Sequence, residues 1–78
     1  AWLPTLEIRG ASDPVVQVVD EGFDEVVYTL RIKGNVFRPK VFHKGYYTIH
    51  VGEEPNRRTF RGVHSFGADE QRTLVVDF

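Results

Sequence analysis

The residues of this chain able to do chemistry are three histidines, one acidic run, a group of arginines and a set of scattered aromatic rings. Histidine near neutral pH binds metals or carries protons. His43 precedes a glycine turn, His50 falls on the outer face of a strand, and His64 falls in a loop. No two stand at a tight ligand spacing, and neither a cysteine nor a close carboxylate completes a set, so no metal site and no cofactor is expected. Asp20-Glu21-Gly22-Phe23-Asp24-Glu25 has oxygens enough for calcium. It lacks the register and length of a calcium loop, Phe23 interrupts it, and it reads instead as a solvated hairpin turn.

Arg57, Arg58 and Arg61 lie close together, and in a strand Arg57, Thr59 and Arg61 share one face as an anion-binding stripe. With Phe60 and Tyr46 nearby, such a stripe suits single-stranded nucleic acid. The overall balance of 10 Lys+Arg against 11 Asp+Glu, net −1, argues against a nucleic-acid partner. The bland alternative is a charged face that keeps a sheet edge from aggregating. Tyr46, Trp2, Phe37 and Phe42 together suit a platform for stacking sugar rings, which leaves a glycan as a possible ligand. Catalysis has no foothold. Paired carboxylates and a phosphate-cradling glycine loop are missing, and the only serines, Ser12 and Ser65, do not stand in a nucleophile elbow. The chain is therefore expected not to be an enzyme.

The elements that hold these residues are strands. Gly45 launches the clearest alternation, with Tyr47, Ile49 and Val51 pointing one way and Tyr46, Thr48 and His50 the other. Thr5–Arg9 alternates similarly and is expected at a sheet edge after Pro4. Val15–Val19 is rich in β-branched residues, the composition of a well-covered strand. The polar, glycine-bearing run 20–25 connects it by a hairpin to a strand over Val26–Ile32. Val36–Phe42 is extended, but Pro39 lacks a ladder donor and places it on an edge or at a bend. Arg57–Val63 and Arg72–Phe78 complete the set. About seven short strands with breakers between them, and no amphipathic helix, predict an all-β fold: a small antiparallel β-sandwich, immunoglobulin-like or prealbumin-like. Its expected core is Leu6, Ile8, Val16, Val18, Val26, Tyr28, Leu30, Ile32, Tyr47, Ile49, Val51, Leu74 and Val76.

Seventy-eight residues make a single domain, 1–78, small enough to bury only about 60% of its unfolded surface. Without cysteine it must be held by its core alone. The apolar runs are too short for a membrane span. Methionine is absent and the chain opens at Ala1, so it is expected to be a piece excised from a larger protein.

Two stretches carry a family likeness. One is Ala1-Trp2-Leu3-Pro4-Thr5-Leu6-Glu7-Ile8 with Asp13-Pro14-Val15-Val16-Gln17-Val18-Val19-Asp20. The other runs from Glu25-Val26-Val27-Tyr28-Thr29-Leu30-Arg31-Ile32 through Val41-Phe42 to Gly45-Tyr46-Tyr47-Thr48-Ile49-His50-Val51-Gly52. Together they resemble the β-sandwich module at the C-terminal end of exported bacterial calcineurin-like or PhoD-like metallophosphatases. The Gly-x-Tyr-Thr-Ile-x-Val segment alone is also similar to many other secreted sandwiches, among them carboxypeptidase-regulatory-like modules. The metallophosphatase resemblance implies an accessory domain behind a catalytic one, in an extracytoplasmic (periplasmic or secreted) setting. The phosphatase metal ligands have no counterpart in residues 1–78. The expected role is thus a non-catalytic interaction module that positions or stabilises a catalytic domain of the same chain, or contacts another protein. Its expected surface is Tyr46, Thr48, His50, Arg57, Arg58 and Arg61, with carbohydrate binding through exposed aromatics as the alternative.

Overall fold

The computed structural model describes residues 1–78 and is all-β. Its strands are β1 (Thr5–Arg9), β2 (Val15–Asp20), β3 (Glu25–Arg31), β4 (Val36–Phe37), β5 (Tyr46–Val51), β6 (Arg58–His64) and β7 (Thr73–Asp77). They form a four-stranded sheet in the order β3-β2-β5-β6 and a three-stranded sheet in the order β4-β1-β7. There is no helix, hence none long and apolar enough to cross a membrane.

Alternation builds the core. Val16 and Val18 of β2 and Tyr47, Ile49 and Val51 of β5 turn inward from the larger sheet, and they meet Leu6 and Ile8 of β1 and Val76 of β7. All eight are buried in one cluster, so the two sheets pack face to face as a small β-sandwich. Burying each such side chain contributes about 1.5–3 kcal/mol.

His64, expected in a loop, is the last residue of β6 and pairs with Tyr46; four further details depart from the sequence expectations. First, β1 is the centre of its sheet, not an edge. Pro4 stands just ahead of the ladder, where its missing N–H breaks nothing, and Thr5 N already donates to Arg72 O (2.8 Å). Second, β1 and β7 run parallel, from Thr5↔Thr73 to Arg9↔Asp77, so the sandwich is not purely antiparallel. First and last strands can pair this way because the whole intervening chain serves as the crossover. Third, a register shift between Val18 and Val19 pairs Val18 with Tyr28 but Val19 with Val26, leaving Val27 bulged. That one-residue slip turns Val26 onto the outer face, where it is 51% exposed. Tyr28 and Leu30, on the same edge strand, are only half-buried, as is Leu74. Fourth, Leu3, Val41 and Phe66 are buried although none lies in a strand. Short bridges place them: Trp2 pairs with Lys40 and Phe66, and Leu3 N donates to Pro39 O (2.9 Å). Pro39 itself lies beside the two-residue edge strand β4, as its missing donor requires.

Candidate functional site

The strand registers place a polar row across the outer face of the larger sheet. Thr29 of β3, Gln17 of β2, His50 of β5 and Thr59 of β6 stand in line, each opposite the next. Gln17 Nε2 donates to Thr29 Oγ1 (3.0 Å), and His50 Nδ1 lies 2.9 Å from Thr59 Oγ1. Arg57 shares one shallow depression with His50, and Arg61 shares another with His50 and Thr48. His50 thus adjoins both Arg57 and Arg61, but Thr48, expected on the exposed surface, is buried with its hydroxyl donated to Glu21.

Electrostatics on this face follow from its contacts. Burial lowers the His50 pKa from its usual 6.5, and the Arg57 and Arg61 charges lower it further while Glu54 opposes them. Glu21 reaches in from the end of β2. Its Oε2 accepts from Gly62 N (2.6 Å) and from Thr48 Oγ1 (2.8 Å), and these bonds hold its carboxyl below the usual 4.5; burial opposes them, and the Arg61 charge adds a lesser lowering. Gly62 sits at positive φ where β6 carries an extra residue opposite Thr48, which frees its N–H for Glu21.

Arg58 and Tyr46 belong elsewhere. Arg58 pairs with inward-facing Val51, and its guanidinium lies 5.0 Å over the Phe78 ring while Nε donates to Asp77 O (3.0 Å). It ties β6 to β7 along the side of the sandwich. Tyr46 stands at the end of β5, with its ring 4.9 Å edge-on to His64.

Tyr46 also joins a group of exposed aromatics at one end of the sandwich. Phe23 in the β2–β3 turn is 72% exposed, Phe42 in the β4–β5 loop 87%, and Tyr46 56%. Phe23 and Tyr46 line a common depression of about 570 Å³ with Asp20, His43 and Lys44. The loops beneath are pinned together. His43 Nε2 donates to Oδ2 of buried Asp20 (2.8 Å), whose Oδ1 accepts from Gly22 N (2.9 Å) and Phe23 N (3.3 Å). Tyr47, buried below, donates its hydroxyl to His43 O (2.7 Å), and the Phe23 ring stacks edge-on against His43 at 5.8 Å. Desolvation, then the Asp20 charge, raises the Tyr47 pKa. Asp20 and Glu21 of the 20–25 turn thus serve its own amides and neighbouring groups, and no group of three His, Asp or Glu gathers to hold a metal.

The four-ring platform suggested by the sequence does not assemble. Trp2 lies under the guanidinium of Arg38 (4.3 Å) and near Lys40 (5.6 Å), and Phe37 packs against the core. Phe23, in the sequence an interruption of an acidic run, takes their place beside Tyr46. A large apolar residue at the centre of a polar turn was the available signal.

No protein-family model, no curated protein and no solved structure matches the chain.

Proposed function

We propose that this domain is a non-catalytic interaction module that docks through its aromatic end, as an accessory part of a larger exported bacterial protein. The observation that carries this reading is the exposure of Phe23, Phe42 and Tyr46 beside loops fastened through Asp20, His43 and Tyr47. Aromatic side chains on a preformed support are the usual anchors of protein interfaces, because they bury much area for little lost freedom. The resemblance to metallophosphatase C-terminal modules favours a catalytic domain as the partner, and the catalytic metal ligands would belong to that domain.

Recovering the native polypeptide with an antibody to this domain, and reading its mass and peptides, tests the proposal. A long chain with clustered Asp, His and Asn upstream supports it; a free chain of 78 residues overturns it. The competing occupant is a sugar ring stacked on Phe23 or Tyr46 over their shared depression. It is tested by adding polysaccharides and following the Phe and Tyr ring resonances, since Arg38 covers Trp2 and blunts a fluorescence response.

A further inference from the structure

The outer face of the larger sheet carries a second feature, at a distance from the aromatic end. His50 is the shared wall of two shallow depressions, one bearing Arg57 with the carboxylates Glu53 and Glu54, the other bearing Arg61 with Glu21 and Asp24. Glu53 is paired with Arg31, and Glu21 is held by Gly62 N and Thr48. His50 Nδ1 lies 2.9 Å from Thr59 Oγ1, and its Nε2 has no hydrogen-bond partner in the protein. Thr59 lies between Arg57 and Arg61 in sequence and opposite His50 in register, so the two arginines stand on either side of the His50 position, one in each depression. Arg58 is held by backbone carbonyls, whereas Arg57 has only an exposed ion pair to Glu54 (3.3 Å) and Arg61 no hydrogen bond or ion pair at all. An exposed pair of that kind is worth roughly 0–1 kcal/mol, so Arg57 is readily released.

We propose that this face is an oxyanion-binding site, in which Arg57 and Arg61 close over a sulfate or phosphate group that rests on His50. Guanidinium groups match tetrahedral oxyanions through paired, charge-assisted hydrogen bonds. An imidazole Nε2–H between them supplies a third donor at the centre. The Arg57 and Arg61 charges both act at His50, where each adds to the larger lowering of its pKa by burial and Glu54 opposes them. The site does not depend on the aromatic end and stands whether or not that end docks a partner.

The test is a titration of the folded domain with inorganic sulfate, inorganic phosphate and a sulfated monosaccharide, at constant ionic strength against chloride. It is followed by the His50 ring and the Arg57 and Arg61 Nε resonances. Saturable shifts confined to these three groups are expected. Arg61→Gln should weaken binding about tenfold or more, the loss of one charge-assisted contact. Glu54→Gln should tighten it, because it removes the competing carboxylate from Arg57. Equal saturation by inorganic ions and the sulfated sugar assigns the site to the oxyanion itself; tighter binding of the sugar places an ester ligand there. Shifts that never saturate, that chloride reproduces, or that Arg61→Gln leaves unchanged overturn the proposal. Both variants alter exposed side chains, and an unchanged melting temperature confirms that they fold.

Discussion

His43 and Asp20, far apart in the chain, meet through one 2.8 Å hydrogen bond that fastens the β4–β5 loop to the end of β2. Asp20 is almost fully buried and its other oxygen caps the β2–β3 turn, so a single carboxylate organises both loops that carry the exposed phenylalanines.

Removing that carboxylate leaves two turn amides and the imidazole without their acceptor. Asp20→Ala is therefore expected to cost about 1–3 kcal/mol, and Asp20→Asn less, since the amide oxygen still caps the turn. For a domain this small each kcal/mol lowers the melting temperature by about 4–8 °C. Thermal melts of the two variants check the order; an Asp20→Ala variant that melts with the parent would contradict the pinning role.

Acid sensitivity follows from His50 and Glu21. The folded-state pKa of His50 is depressed, so its stability contribution is present above the unfolded value of 6.5 and is lost as pH falls through the lower folded value. Glu21 behaves likewise one step further down: its contribution is present above 4.5 and fades below it. Urea unfolding at a series of pH values should show stability falling below about pH 6.5 and again below about 4.5. His50→Gln should remove the first decline and leave the second. A variant that keeps the first decline places its origin elsewhere.

At the alkaline side the signs reverse. Burial raises the pKa of Tyr28 and of Tyr47, and the Asp20 charge adds to the effect at Tyr47. Both hydroxyls stay protonated in the fold beyond the usual value of 10, so their contribution is intact below that value and is lost as pH rises past it. Tyr47→Phe is expected to reduce this alkaline loss while costing about 0.5–1.5 kcal/mol at neutral pH for the missing bond to His43 O. Unfolding curves between neutral and alkaline pH decide it.

Two substitutions separate the centre of the sheet from its bulged edge. Ile49→Ala, fully buried in β5, is expected to cost about 2–5 kcal/mol. Val26→Ala, turned outward by the bulge, is expected to fall within about 0.5 kcal/mol of the parent. Equal costs would place Val26 back on the core face.

That contrast also marks how far the sequence could be read. Period-2 alternation in β2 and β5 is legible because both strands are paired on each side and covered on one face, so Val16, Val18, Tyr47, Ile49 and Val51 obey it. The same alternation places Thr48, His50, Arg57 and Arg61 on the outer face. It fails at Val26, where the pairing of Val18 and Val19 with β3 sets the register and no local pattern reveals a bulge. Leu3, Val41 and Phe66 are buried by bridges between distant segments, which carry no periodicity. The parallel β1–β7 pair, Arg58 over Phe78 and His43 on Asp20 are likewise non-local contacts. The aromatic end depends on the last of these and so becomes visible only in three dimensions.

Hydroxyl-radical footprinting of Phe23, Phe42 and Tyr46, in the isolated domain and in the native polypeptide recovered from its source, tests the docking reading most directly. All three rings should label strongly in the isolated domain, where they are exposed, and should be protected in the native protein while Val36 and Val75, also exposed but outside the aromatic end, react alike in both. Equal labelling of the three rings in both forms would contradict docking through this end.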